Sequence, residues 1–512
     1  MSSTPSPPTR RHLLQPHVTT VTEPEPPLLA LPPHYKLHRD ETHCLIGVNG
    51  SGKSRLLRRL EEAANHAPAG SSTLRRRAVR VGALSFDAHR ALLATHGDRV
   101  VAELLGGIGS PDARDLIVRL GLYPVWESRV RVLSTGEMRK VLLALALLER
   151  PRADVLLLDQ PFDGLDAAAR RQLEWMLMQL TRGFTRLLVD TGGRNDAFAY
   201  KTPVVMVANR LDQLLPEMVT HAVLVPKHGN GNIEVRPLAA AAADEETMRA
   251  ALERFLRDDA SGSLCRGRCD DGDDAVDVMV RRLYDSPSIA AVNDQGADTV
   301  AIEMQGLSIA YGRRLLLHGV HFARKRREHW ALLGPNGSGK SSLIRVLMQT
   351  EGHGQVGGTI RLAGDRIAVV STDQHVEMLG DAETAKKTAL QLIQDVTHDD
   401  ESVASTVMQL LNIPHENATR PFSELSQGEQ KLVQIAVALA KRPELLLLDE
   451  ITHGLDMWNR ERVLQVIDTV GRVASHRTHM VLITHHEDEI TPSFQSIVEI
   501  TEQQLVCRSR QK

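Results

Sequence analysis

The sequence predicts an α/β fold that occurs twice in tandem, and three observations lead to this prediction. Apolar, strand-like runs alternate with helical patterns, which is typical of parallel sheets covered by helices. The glycine-rich segment GVNGSGKS (47–54) returns as GPNGSGKS (334–341). Two more pairs follow in the same order, LSTGE with LSQGE and VLLLDQ with LLLLDE. A repeat of this kind indicates two homologous domains with parallel-sheet cores and helical subdomains.

The repeats and the composition between them suggest four parts of the chain. We expect a disordered leader over 1–17, a first domain over 18–225, an acidic linker over 226–298 and a second domain over 299–512. The leader is rich in proline, which disfavours an amphipathic helix. The linker combines an alanine-rich, helical piece with a Gly/Asp/Ser-rich stretch that holds more acid than base, so we expect it to be solvated.

Composition argues against several classes of function. The chain has 61 Lys and Arg against 64 Asp and Glu, and only 3% aromatic residues, so it carries no strong nucleic-acid signal. No apolar run reaches the roughly 20 residues of a membrane helix. Four cysteines are too few for a disulfide framework, which indicates a reducing compartment such as the cytoplasm. Arg10 and Arg11 in an acid-free leader leave mitochondrial import as the alternative.

The glycine-rich repeats predict phosphate-binding loops. In a G-x-x-x-x-G-K-S segment between a strand and a helix, backbone N–H groups and the helix dipole hold the phosphates of a nucleotide. The lysines Lys53 and Lys340 would reach these phosphates. The other loop residues expected to bind ATP are Gly47, Asn49, Gly50, Gly52 and Ser54 in the first copy and Gly334, Asn336, Gly337, Gly339 and Ser341 in the second.

An apolar strand that ends in aspartate follows each loop. Asp159 and Asp449 hold the position of the carboxylate that binds Mg²⁺ in phosphate-loop enzymes, together with the serine that follows the loop lysine. The predicted metal ligands are therefore Ser54 and Asp159 in the first domain and Ser341 and Asp449 in the second. ATP and Mg²⁺ are the expected cofactors.

The L-S-x-G-E segment before a helix, the aspartate-ending strand after it, and the segments DGLD (163–166) and HGLD (453–456) resemble the motifs of ATP-binding cassettes. The segments LSTGEMRK, QPFDGLD and ITHHEDE are similar to those of the ModF group of soluble tandem-cassette ATPases. The resemblance implies that the two cassettes pair head to tail within the chain. Each ATP would lie between one phosphate loop and the signature of the other domain, whose binding residues are Ser134 and Gly136 or Ser426 and Gly428.

The two predicted sites differ in their catalytic residues. Glu450 follows Asp449, where it can act as general base toward the attacking water, and the resemblance makes His485 the switch histidine, with His486 as the fallback. Lys340 completes the predicted catalytic set. In the first domain the corresponding residues are Gln160, which cannot accept a proton, and Asn209.

Two further motifs depart from the cassette pattern. Tyr311 lies where cassettes place an aromatic residue that stacks on adenine, with packing on a strand face as the alternative role. The first domain has no ring at the matching place. Gln374 comes later than the usual Q-loop spacing, and Ala88 stands opposite it. Because cassettes contact membrane partners through that loop, the departure puts transport coupling in doubt.

The sequence therefore predicts a soluble twin-cassette ATPase that hydrolyses mainly the ATP held by the second domain. Its protein partner is unknown. One alternative is the ATP-binding subunit of a transporter with a separate membrane partner, and another is a cassette protein that acts on the ribosome or on nucleic acid.

Overall fold

The computed structural model describes most of the two predicted domains. The described residues are 29–31, 35–65, 79–106, 111–148, 153–182, 201–210, 213, 217–227, 233–238, 250, 252–257, 273–284, 300–311, 314–335, 337–348, 355–362, 364–398 and 400–509. The predicted leader and Asn336 lie outside them. The elements below are numbered within these residues.

The first half contains a short two-stranded sheet and a larger mixed sheet. Its strands are β1 (Leu29–Leu31), β2 (Tyr35–Leu37), β3 (Thr42–Ile46), β4 (Val81–Leu84), β5 (Val155–Asp159), β6 (Val204–Val207), β7 (His221–Leu224) and β8 (Glu234–Pro237). The larger sheet has the order β4-β5-β6-β3-β7-β8. All neighbours pair in parallel except β7 with β8. The central strands β3 and β6 are buried along their whole length, which explains their continuous apolar character.

Helices cover this sheet and carry the predicted motifs at their starts. They are α1 (Lys53–Asn65), α2 (Phe86–His96), α3 (Val101–Leu104), α4 (Pro111–Arg119), α5 (Thr135–Leu148) and α6 (Ala167–Arg182). The phosphate loop connects β3 to α1. The signature segment leads into α5.

The second half repeats this architecture. Its strands are β9 (Val300–Tyr311), β10 (Arg314–Lys325), β11 (Trp330–Leu333), β12 (Gln355–Leu362), β13 (Ile367–Val370), β14 (Leu445–Asp449), β15 (His479–Ile483), β16 (Ser496–Thr501) and β17 (Gln504–Ser509). The main sheet has the order β13-β14-β15-β11-β16-β17, which matches that of the first half strand for strand. Strands β10, β9 and β12 form an additional antiparallel sheet. The predicted α/β fold in two copies is confirmed.

The helices of the second half are more numerous, within the described residues, than those of the first. They are α7 (Asp273–Tyr284), α8 (Lys340–Leu347), α9 (Thr372–Gly380), α10 (Ala389–Thr397), α11 (Glu401–Leu410), α12 (His415–Ala418), α13 (Gln427–Ala440) and α14 (Met457–Val473). None of the helices in the described part of the chain is long and apolar enough to span a membrane.

The expectation of a solvated linker over 226–298 is wrong for the described parts of that segment. Strand β8 extends the first sheet beyond residue 225. Leu252 and Leu256 are buried in the first core, and Val276 and Val280 of α7 are buried in the second. The physical reason is the spacing of these apolar residues, four apart on one helix face, which outweighs the acidic composition around them.

Candidate active site

A cleft of about 820 Å³ lies between the two halves and is lined by residues of both. The second half contributes the phosphate loop and the end of β14. The first half contributes the start of α5. The predicted site residues that line the cleft are Gly337, Gly339, Lys340, Ser341, Asp449 and Glu450 from the second half and Ser134 and Gly136 from the first. Residues from opposite halves therefore form one composite site.

The second phosphate loop has the backbone that its glycines predict. Gly337 and Gly339 have φ angles of +76° and +109°, which L-residues with a side chain rarely adopt. The amino group of Lys340 donates hydrogen bonds to the carbonyls of Gly334 (2.7 Å) and Pro335 (2.9 Å). Burial lowers the pKa of Lys340, and the nearby carboxylates of Asp449 and Glu450 partly offset that effect. A negatively charged phosphate would stabilise this buried ammonium further.

The predicted Mg²⁺ ligands lie together in each half. The hydroxyl of Ser341 donates to Asp449 at 3.5 Å, and that of Ser54 donates to Asp159. Burial, followed by the charge of Glu450, raises the pKa of Asp449 to about 7. Burial also raises the pKa of Asp159, whose Oδ1 has no hydrogen-bond partner among the described residues. Carboxylate and hydroxyl oxygens fit the hard-oxygen preference of Mg²⁺.

Glu450 lies between two histidines. Its carboxylate is 2.7 Å from Nε2 of His485 and 3.0 Å from Nδ1 of His453. Burial alone would raise the pKa of Glu450, but the two imidazoles outweigh it and hold the pKa well below its usual range. Burial lowers the pKa of His453, and the Glu450 charge reverses this, so the net shift is upward. His485 rather than its neighbour His486 makes the contact with Glu450, and the backbone N–H of His486 donates to Thr484 Oγ1 (3.0 Å).

Sequence reasoning missed His453. The signal was available, because His453 lies three residues after Glu450 in the segment HGLD, where the first half has Asp163. The contact depends on the left-handed backbone of Glu450, whose φ is +50°. Gln160 has the same conformation, with φ of +51°. The two halves therefore share the backbone of the base position and differ in its side chains.

The signature residues begin helices in both halves. The N–H and hydroxyl of Ser134 donate to the carboxylate of Glu137 at 2.9 and 2.8 Å, and the N–H of Glu137 donates back to the hydroxyl at 3.3 Å. Ser426 and Glu429 form the same reciprocal pair, at 2.9 and 3.4 Å. These hydrogen bonds cap the N-termini of the two helices and fix the direction of the helix dipoles, whose positive ends lie there.

The first phosphate loop packs directly on the signature of the second half. The N–H of Asn49 donates to Asp456 (2.7 Å), and its side-chain amide donates to the carbonyl of Gly454 (3.2 Å). A Cβ atom on Gly428 would overlap that amide, so this position requires glycine. Within the loop, Lys53 donates to the carbonyls that follow β3, as Lys340 does after β11. Gly47, Gly50, Gly52 and Ser426 lie in the same loop and signature, on the two sides of this contact.

In the first half, Gln160 and Asn209 occupy the positions that Glu450 and His485 hold in the second. Asn209 donates its N–H to Gln213 (3.1 Å), and both polar atoms of its side chain are buried without a partner among the described residues. Gln213 donates to Asp163 (2.9 Å), whose carboxylate also accepts the N–H of Gly454 across the interface (3.0 Å). Sequence reasoning identified neither Asp163 nor Gln213 as a partner.

Two buried cations from the signature helices face these positions. Arg139 of α5 donates to the carbonyl of Gln160, and burial lowers its pKa. Lys431 occupies the matching place on α13, and burial lowers its pKa to about 8 in spite of the nearby Asp449 and Glu450. The segments LSTGEMRK and LSQGEQKL already show this cation in both copies. In each half, this cation balances part of the negative charge of the carboxylates at the site.

Two other predictions lie at the edge of the described part of the chain or away from the cleft. Tyr311 ends β9, and its ring is outside the described residues. Gln374 lies in the first turn of α9, where its N–H donates to the capping hydroxyl of Ser371 (3.2 Å). In α2, the N–H of Ala88 donates to the capping hydroxyl of Ser85 in the same way (3.1 Å). Gln374 and Ala88 are therefore structurally equivalent.

Comparisons with known proteins agree with the repeat. Two segments, 32–163 and 317–453, match the family model described as ABC transporter. The ABC transporter ATP-binding protein ModF of Escherichia coli (strain K12) is 27% identical over 493 residues, 89% of this chain and 90% of ModF. The energy-dependent translational throttle protein EttA of Escherichia coli O6:H1 is 26% identical over 65% of this chain and 58% of EttA. Ribosome-bound archaeal ABCE1, solved with Pelota, has a similar fold, with a TM-score of 0.55 at 17% identity over 92% of this chain and 75% of that chain.

Proposed function

This chain belongs to the ABC transporter family and is an ABC-type ATP hydrolase, and we propose that it binds two ATP molecules at head-to-tail composite sites and hydrolyses mainly the one held by its second half. The observation that carries the proposal is the cleft in which Lys340 and Glu450 of one half face Ser134 and Gly136 of the other. The closing and reopening of the two halves would then depend on hydrolysis at one site.

In this proposal Glu450 accepts the proton of the attacking water. The low pKa of Glu450 keeps it ionised, and the contacts with His453 and His485 fix its orientation. Lys340 and the loop N–H groups hold the phosphates, and the start of α5 presents Ser134 to the transferred group from the opposite side. Bound Mg²⁺ would be held by Ser341 and Asp449 and would neutralise phosphate charge.

The first half is proposed to bind ATP without hydrolysing it. Lys53, Ser54 and Asp159 retain the phosphate and Mg²⁺ ligands, whereas Gln160 cannot act as a base. We expect ATP binding to separate the loop from the HGLD segment of the second half and so to break the two hydrogen bonds that Asn49 makes with Asp456 and Gly454. Such bonds contribute about 1 kcal/mol each, a cost that phosphate binding can offset.

The two signatures offer a matched test of head-to-tail pairing. Ser134→Arg places a bulky cation in the 820 Å³ cleft and should reduce steady-state phosphate release by at least about 100-fold. Ser426→Arg changes the other site and should leave more than about a third of the rate, since that site is not the one that turns over. Equal losses from the two variants would contradict the pairing.

Action on the ribosome is a second candidate function, favoured by the name of the translational throttle protein among the relatives. A membrane partner is the competing possibility. A Glu450→Gln variant with ATP bound should retain its partner, and capture from a detergent extract followed by mass spectrometry would separate the two. Enrichment of ribosomal proteins supports the first possibility, and enrichment of an integral membrane protein supports the second.

A further inference from the structure

A second cluster of metal-ligand side chains lies at the amino-terminal ends of strands in the first sheet. The phosphate loop lies at the other end of the same strands. Glu41 immediately precedes β3, His43 is in β3, and His221 begins the neighbouring strand β7. One ligand atom from each residue lies within 4.8 Å of the others. We propose that Glu41, His43 and His221 form a binding site for a divalent transition-metal ion of the zinc class.

The two imidazoles turn the same nitrogen toward one carboxylate. Nε2 of His43 is 3.1 Å from Oε2 of Glu41, and Nε2 of His221 is 3.9 Å from Oε1 of the same residue. Ligand atoms around a tetrahedral zinc ion are about 3.4 Å apart, as follows from bond lengths of about 2.1 Å. The two nitrogen–oxygen separations bracket that value, and all three ligand atoms lie within 4.8 Å of one another. To coordinate one ion, the atoms that are furthest apart would have to move closer together.

The other nitrogen of each imidazole is held by an outer partner. Nδ1 of His43 is 2.9 Å from the hydroxyl of Tyr35, and Nδ1 of His221 is 2.9 Å from that of Thr220. Histidines that bind metals are oriented in this way, through a hydrogen bond at the nitrogen away from the ion. The sheet also fixes the spacing of the two rings, because His43 and His221 are paired in register.

The hydroxyl of Thr220 is within hydrogen-bond distance of two groups, the carbonyl of Thr42 (3.0 Å) and Nδ1 of His221 (2.9 Å). When the hydroxyl donates to Thr42, it accepts the proton on Nδ1 of His221. In a neutral imidazole this leaves Nε2 as a lone pair, and that lone pair faces a carboxylate oxygen. Two electron-rich groups that face each other in this way are stabilised by a cation between them.

The three side chains differ in their burial. The side chain of His43 is 1% exposed and forms the inner side of the cluster. The side chains of Glu41 and His221 are 20% and 22% exposed, which leaves an entry path for the ion. Two imidazoles with one carboxylate suit zinc and related transition metals better than Mg²⁺ or Ca²⁺.

The second half does not reproduce this cluster in its described residues. There Trp330 and Ser496 are paired across β11 and β16, at the places of His43 and His221. His329 lies nearby, but its Nδ1 accepts the N–H of Met480 and its Nε2 bonds the carbonyl of Gly471. Among the described residues, the proposed metal site is therefore found in the first half and is not repeated in the second.

The test is calorimetric titration of the nucleotide-free full chain with Zn²⁺ in Mg²⁺-containing buffer. The wild type should bind one equivalent that is lost or weakened at least about tenfold in His221→Ala and in Glu41→Gln. His318→Ala, which removes an exposed histidine of the second half, should retain that equivalent. Glu450→Gln should also retain it, which separates the cluster from the carboxylate and histidines of the nucleotide site.

Two results would overturn the proposal. One is the absence of Zn²⁺ binding by the wild type, which would make the cluster a set of side-chain contacts without a bound ion. The other is an equivalent that survives in folded His221→Ala and Glu41→Gln, with folding checked by circular dichroism. If neither variant folds, the spectrum of the wild type with Co²⁺ decides: visible absorption that shows nitrogen and oxygen ligands in a tetrahedral site supports the proposal, and an octahedral aqueous spectrum overturns it.

Discussion

The two nucleotide sites have the same backbone and different side chains. Gln160 and Glu450 share a left-handed conformation at the end of equivalent strands, with φ of +51° and +50°. Glu450 contacts two histidines beside a cleft of about 820 Å³, whereas the side-chain oxygen of Gln160 is buried without a hydrogen-bond partner among the described residues. The comparison teaches that the fold fixes the place of the base, and that side chains decide whether a base is present.

Removing the base should give the largest effect. Glu450→Gln is expected to reduce kcat by about 100- to 10,000-fold, because glutamine cannot accept a proton. ATP should remain bound, since Lys340 and the loop are unchanged. Measurement of phosphate release and of bound nucleotide checks both statements. A variant that keeps more than about a tenth of the rate would show that another group acts as base.

The contact between His453 and Glu450 is expected to have an intermediate effect. His453→Ala removes a hydrogen bond to a charged group, and such bonds contribute about 1.5–3 kcal/mol, so kcat should fall about 10- to 150-fold. The KM for ATP should stay the same, because His453 positions the base and is not predicted to touch the nucleotide. His453→Asn can replace the Nδ1 donor and should recover most of the rate. A change in KM alone, with kcat intact, would assign His453 a different role.

Conversion of the first site should have the smallest effect. Gln160→Glu combined with Asn209→His restores both residue types, yet the half still lacks a counterpart of His453, since Asp163 holds that position. A second carboxylate would also face the buried Asp159 and Asp163. We expect less than a twofold gain in steady-state phosphate release. A gain of twofold or more would show that these two residues alone prevent hydrolysis at the first site.

The sequence predicted most of the fold, and many of the predicted site residues lie together in the structure. The cassette resemblance is confirmed by the family match, because the loops and the aspartate-ending strands are local motifs whose spacing follows from the fold. The contacts of His453 and Gln213 could not be predicted, since they depend on backbone conformation and on packing across the interface. His43 and His221 lie on strands that are distant in the sequence. Helix α7 was obscured by the acidic residues that surround its apolar face.

The most direct test of the unequal sites is the nucleotide content of the chain after a single turnover. Protein is mixed briefly with ATP and Mg²⁺, freed from unbound ligand and analysed for ATP and ADP. The proposed function predicts one retained ATP per wild-type chain, with ADP formed only at the other site. Lys53→Ala should lose the retained ATP, and Lys340→Ala should abolish ADP formation. Conversion of both nucleotides to ADP, or an unchanged ATP content in Lys53→Ala, would contradict the proposed division of roles between the two halves.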